Sequence, residues 1–554
     1  MPRLTEKPRL SVWEALCAVA PVAAFCAVYP SLDMGFNDDW QYIHMARNLA
    51  ATGRLVYDGW TGPMALPHVF WGAALIKLFG FSFSLLRFAM VPFWVACALL
   101  IYKMGRWIGL PPSWSALASL SVTLSPVAIP AAVCFATDIT ALVPALLAIY
   151  CGVRATGRTT VRTGIAWLAG AALCGALAAI TRDLYWAIPA WTIVVAVLFR
   201  RRERAFAAAG LLSLGAITTA AILTECWHYA QLAGHRHFWQ LPSWRALFQI
   251  GPSAFVLLLT TGLMCLPVLV CLIRRFSRLR AWAFGIAAFL LLQGALMAVL
   301  NPRLCMAPWI GNLFTQYGAF YNGQVLLGDR PVLLPPTLRL ALGLVVLAGM
   351  AVATGAVVQV ARSIRKRMPG KIEQRDPFLV FVAISVPLAV GFVVLIAERN
   401  IMLFDRYLLP VAAFAALLTA GMAYRLRRRR PGIPGWAALV LMASFGVAST
   451  HDLYAAHRAT LDAAQWLTQR GVPRDRLSAG YEYDAWTQLE EKGALSDPDF
   501  SRLDFWFRPR TEVVKPRWYV VSSPQPNLGP TERTISYDTW LPPNRRTLLI
   551  QQAR

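Results

Sequence analysis

The chain has 554 residues, of which 57% are hydrophobic and only 15% charged, with 53 Lys and Arg against 28 Asp and Glu. Uncharged runs of about twenty residues recur along it, each long enough to cross a hydrocarbon core of about 30 Å, which excludes a soluble domain and predicts a polytopic helical membrane protein. The formal charge of +25 does not signal nucleic acid, because the basic residues fall in short clusters between apolar runs and no nucleic-acid-reading motif accompanies them.

The basic N-terminus "MPRLTEKPRL" precedes an apolar run without a convincing cleavage site, so it predicts a retained first span. Thirteen spans are expected, near 11–30, 84–103, 112–130, 138–153, 163–180, 185–199, 205–227, 252–273, 280–300, 336–360, 377–397, 407–424 and 434–450. Alternation from a cytoplasmic N-terminus places seven basic segments inside, among them "RRRER" (200–204) and "RLRRRR" (425–430). These seven hold 27 of the 53 Lys and Arg, which sets the orientation. The segment "ALPHVFWGAALIKLFG" (65–80) is short and has Lys77 within it. It reads as a re-entrant or juxtamembrane helix, since counting it as a span would send the basic clusters outside. Residues 1–450 form the transmembrane domain, with 31–83 as its first external loop. The polar tail 451–554, with strand-like "RWYVVSS" (517–523) and "RTLLIQQ" (546–552), is expected as a small external α/β domain.

Of the ten cysteines most lie within apolar spans, and the tail has none, so no disulfide framework is legible. Unusual polar residues gather on the predicted outer face. Asp38 and Asp39 open the first external loop, and the apolar spacing after them predicts a helix ended by Gly53. A capping box between Asp38 and Gln41 accounts for the pair as well as chemistry does. Thr137 and Asp138 stand at the mouth of the fourth span; they read as a helix start, or as polar groups facing a wet cavity that Asp38 also lines. Arg182 and Asp183 in "TRDLYW" are expected to pair with each other. Arg406 and Tyr407 in "FDRYLLP" (404–410) stand where an Arg binds phosphate or snorkels. His228, His235 and His237 share a loop but lack the accompanying ligands of a zinc site.

In this order and sidedness the chain resembles GT-C-type membrane glycosyltransferases of the protein mannosyltransferase and aminoarabinose transferase group (glycosyltransferase family 39-like). The matching residues are Asn37-Asp38-Asp39-Trp40 followed by Tyr42, then Gly80, Ser82 and Arg87, then Thr137-Asp138, and "DRYLLP" at a late span. One departure is the order Pro67-His68, where many relatives place a basic residue before two prolines. The resemblance implies transfer of a sugar from a polyprenyl-phosphate donor to a hydroxyl of a lipid, glycan or protein, at the outer face of a bacterial inner membrane, with inversion. Asp38 is then the base, Asp39 supports acceptor or metal, and Asp138 orients. Tyr42, Arg54, His68, Lys77, Arg182, Arg406 and Tyr407 are the donor- and phosphate-binding set. A divalent cation, Mg or Mn, at Asp39 and Asp138 stays open as an alternative to Arg and Lys for meeting phosphate charge. The aromatic loop 301–331 suits sugar stacking or an interfacial belt. The competing readings are a lipid-glycan ligase or polymerase and a transporter or flippase of lipid-linked sugars.

Overall fold

The computed structural model describes residues 11–58, 61–157, 160–231, 244–273, 285, 288, 292, 312–319, 326–367, 376–398, 404–427, 429–493 and 513–554. Eight helices among them are long and apolar enough to cross a membrane, and a pair bent by 85°, Ser253–Met264 with Leu266–Ile273, is so when its two parts are taken together. These nine coincide with expected spans. Three more expected spans are helical but shorter. α1 (Val12–Val28) starts at Ser11, whose Oγ accepts the Glu14 N–H, and ends at Tyr29 in the left-handed region. The span at 112–130 breaks into α6 (Pro112–Thr123) and α7 (Ala128–Ala132), and that at 185–199 begins with a 3-10 turn, Asp183–Trp186. The expected span 280–300 lies outside the described residues apart from three positions.

Between these come α2 (Asp39–Thr52), α3 (Leu66–Phe79), α4 (Phe83–Phe88) and α5 (Val91–Trp107). α2 stops at Gly53, whose φ of +70° suits a residue without Cβ. α3 has 14 residues, about 21 Å of rise, and is too short to cross. It lies against α2 so closely that a Cβ at Gly72 would stand 3.0 Å from that of Ala46 and 2.7 Å from the Phe135 ring. Next come α8 (Thr137–Ala155), α9 (Val161–Thr181), α10 (Ala187–Phe199), α11 (Arg204–Gln231), α12 (Trp244–Met264), α13 (Leu266–Ile273), α14 (Pro336–Arg367), α15 (Pro377–Glu398) and α16 (Leu409–Arg427). α8 and α16 are mostly buried, whereas α11 exposes Leu211, Leu212, Ile222 and Leu223. An apolar helix face turned outward on that scale is the surface a bilayer covers.

α17 (Ile433–Gln469) is 37 residues long, about 55 Å, and so extends well beyond one hydrocarbon core. The expected domain boundary at 450 falls inside this unbroken helix. Beyond it a four-stranded sheet has the order β3-β4-β6-β5, with β3 (Leu477–Ser478) parallel to β4 (Trp518–Val521) and β6 (Arg545–Ala553) antiparallel to β4 and β5 (Leu528–Asp538). α18 (Tyr481–Lys492) completes a small α/β unit. A hairpin of β1 (Phe314–Thr315) and β2 (Gly318–Ala319) packs against α17.

Candidate active site

The loop before α2 is built by a buried cation. Arg87, on α4, donates from Nη1 to the Leu32 carbonyl at 2.7 Å, from Nη2 to the Met34 carbonyl at 2.5 Å, and from Nε to Asp39 Oδ2 at 2.9 Å. Asp39 Oδ1 accepts the Phe36 N–H at 2.7 Å. Both side chains of this pair are fully buried, so the low-dielectric surroundings demand that each be satisfied, and each is. Burial pushes the Asp39 carboxyl above its ordinary range, while Arg87 and the Phe36 N–H pull it back. Both oxygens of Asp39, the residue expected to support acceptor or metal, thus face Arg87 and the backbone. Asp38 forms no side-chain cap, so the capping box with Gln41 is not the reason for the pair.

Asp38 points the other way. Its Oδ2 accepts from Arg406 Nη2 at 2.7 Å and its Oδ1 from the Tyr481 hydroxyl at 2.8 Å. Arg406 sits in the 3-10 turn Asp405–Leu408 ahead of α16, and its Nη1 lies 4.0 Å from Asp138 Oδ2. Asp138, in the first turn of α8, has its Oδ1 2.9 Å from Arg182 Nη2. Arg182 also donates from Nε to Thr137 Oγ1 at 3.0 Å, and its guanidinium lies over the Tyr407 ring at 5.0 Å. Alternating charges thus run Asp38, Arg406, Asp138, Arg182, drawn from four segments that are far apart in sequence. Asp138 remains underused: among the described residues neither of its buried oxygens receives a well-directed hydrogen bond, the contact to Arg182 being an ion pair only. Tyr42 lies beside the chain of charges, where burial raises its phenol above the ordinary range against the pull of Arg182 and Arg406.

The 3-10 turn is anchored by Asp405, whose carboxylate accepts the N–H groups of Asn312, Leu313 and Phe314 at 2.8–3.3 Å. Arg406 therefore faces inward rather than snorkelling. Arg182 reaches Asp138 instead of forming the expected pair within its own turn.

The other expected phosphate ligands are not members of this chain of ion pairs. His68 is buried, stacked on Phe135 at 3.9 Å and edge-on to Tyr42 at 5.5 Å, with Nδ1 3.1 Å from Thr140 Oγ1. Burial lowers its pKa to about 3, so at neutral pH it carries no charge with which to meet a phosphate. Arg54 and Lys77 are exposed, on the loop after α2 and on α3. Much of the expected sugar-stacking loop, 301–311 and 320–325, and also His235 and His237, lie outside the described residues.

The charged partner nearest Asp39 is Arg87 and that nearest Asp138 is Arg182. The described residues that do bring ligands together are Asp183, Glu225 and His228, one ligand atom of each lying within 4.8 Å of the others. Two carboxylate oxygens and an imidazole nitrogen suit Zn or Mn. The Glu225-x-x-His228 spacing on one helix was visible in the sequence; its carboxylate partner in another turn was not.

No family model matches the chain, and no curated protein matches it. Among solved structures it is similar to ArnT from Cupriavidus metallidurans in the apo state, at 14% identity over 97% of both chains with a TM-score of 0.38. ArnT from the same organism bound to undecaprenyl phosphate gives 14% identity, 97% of this chain, 98% of that one and a TM-score of 0.37. The oligosaccharyltransferase of Archaeoglobus fulgidus, in complex with Zn and sulfate, is 13% identical over 83% of this chain and 56% of its own, with a TM-score of 0.40. At these levels of likeness the case for function rests on the site itself.

Proposed function

We propose that the chain is an integral membrane glycosyltransferase that moves a sugar from a polyprenyl-phosphate donor to an acceptor hydroxyl on the outer face of a bacterial inner membrane. The observation that carries this reading is the array of half-buried Asp38 with buried Arg406, Asp138 and Arg182. It offers a carboxylate for a hydroxyl proton beside two guanidinium groups for a phosphate, the two demands of this displacement.

Asp38 accepts the acceptor's hydroxyl proton as that oxygen bonds to the anomeric carbon. The bond from that carbon to the phosphate oxygen breaks, and its electron pair leaves on the polyprenyl phosphate. Arg406 and Arg182 meet the developing charge, and Asp138 orients both. A leaving phosphate needs charge stabilisation more than a proton, and single displacement inverts the anomeric centre. The prenyl tail stays in lipid against the apolar helix faces. A lipid, glycan or protein supplies the hydroxyl.

The test is chemical. Purified full-length protein in lipid nanodiscs is incubated with the polyprenyl-phosphate sugars extracted from its own cells, and the lipids are followed by mass spectrometry. Wild type is expected to consume one sugar-lipid and release free polyprenyl phosphate. Asp38→Asn is expected to slow this by about 100- to 10,000-fold, the range for loss of a general base. Consumption of none of them by the wild type, with acceptor-containing membranes present, overturns the reading in favour of transport.

A further inference from the structure

We infer that Tyr481, supplied by the C-terminal α/β unit, is a positioning residue for Asp38, so that the candidate active site is complete only with that unit docked. Its hydroxyl donates to Asp38 Oδ1 at 2.8 Å from a position 443 residues away in sequence. With Arg406 on Oδ2, it fixes the carboxylate rotamer from the second side. A carboxylate on a loop end keeps a reactive direction only when its rotamer is locked by such partners.

The contact belongs to a seam and is not isolated. The residue after Tyr481, Glu482, accepts the Asn37 N–H at 3.1 Å through Oε1, and Asn37 is held at φ +51°, in the left-handed region. The same Oε1 lies 3.1 Å from His457 Nε2 on α17. Further along α18, Trp486 meets the His44 ring edge-on at 6.0 Å and Glu490 pairs with Arg47 at 3.2 Å. Residues 481, 482, 486 and 490 of one helix thus meet 38, 37, 44 and 47 of the loop and helix that carry Asp38. Tyr481 itself is only 3% exposed, its ring edge-on to Trp40 at 5.7 Å. Gly480, at φ +93°, lets the chain turn sharply into α18 and aim Tyr481 at the site. Packing alone would be served by Phe; the hydroxyl donates to a half-buried carboxylate, that of the residue proposed as the base.

The inference rests on the transferase reading for its kinetic arm only. Full-length wild type, Tyr481→Phe and Tyr481→His are compared in nanodiscs on the sugar-lipid that wild type consumes. Phe keeps the ring and removes the donor; His fits the pocket worse and restores a donor. A positioning role predicts a kcat lowered about tenfold in Tyr481→Phe, in line with a lost hydrogen bond to a charged group, with KM for the donor within about twofold. It also predicts partial recovery in Tyr481→His. A packing role predicts the opposite order, Phe near wild type and His worst, and that order overturns the inference. The second arm needs no substrate: the infrared carboxylate band lost in Asp38→Asn is expected to move in Tyr481→Phe, and an unmoved band is contrary to it. Should Asp38→Asn prove fully active, the transferase role of Asp38 fails, while the infrared band still decides whether Tyr481 holds it.

Discussion

At Asp38 and Asp39 one side-chain type meets two environments. Asp39 is sealed with Arg87, and Asp38 faces a chain of charges it shares with Arg406 and Asp138. Substitution should separate them. Asp39→Asn leaves the Arg87 charge buried without its counter-ion, which typically destabilises by about 3–5 kcal/mol, so the thermal midpoint in detergent is expected to fall sharply. Asp38→Asn, at a polar site, should change the midpoint little and the activity greatly. Equal loss of stability in both would show that the pair acts as one structural unit. The acidic pair was legible in the sequence as a pair, and so was Arg87 as a motif position; their partnership was not, because 48 residues separate Arg87 from Asp39. Arg406 and Arg182 were legible as candidate cations, but only folding shows that they alternate with Asp38 and Asp138.

At the scale of elements, α2 and α3 carry two buried imidazoles, His44 and His68, whose pKa values burial lowers to about 4 and about 3. A His whose folded pKa is depressed below its ordinary 6.5 contributes stability above that value and loses it as pH falls towards the folded pKa, because the unfolded chain takes up the proton first. By pH 5 each should have lost about 2 kcal/mol of stability. The thermal midpoint is expected to drop between pH 7.5 and pH 5, and to drop less in His44→Gln and His68→Gln. An identical drop in both variants would contradict the account. Apolar runs fixed most helices within a few residues, since a segment in lipid must satisfy its backbone internally. The breaks within 112–130 and at Cys265 were not legible. Nor was the burial of His68, which lowers its pKa, since Phe135, stacked on its ring, comes from another segment.

At the scale of the molecule, α17 joins the membrane part to the C-terminal sheet without a break, so what the sequence divides at 450 is continuous in the fold. Two of the four strands, β4 and β6, were readable from pattern as the runs 517–523 and 546–552; β3 and β5 were not. The return of the tail to the site was not, since nothing in "GYEYDAW" (480–486) marks Tyr481 as the partner of Asp38. The central claim is that this whole arrangement transfers a sugar at Asp38. The most direct measurement is mass spectrometry of envelope glycolipids and glycans from cells lacking the protein, rescued by wild type or by Asp38→Asn at equal membrane levels. The account predicts that one sugar mass disappears on deletion and that wild type alone restores it, the missing mass naming the sugar. Full restoration by correctly inserted Asp38→Asn would contradict it.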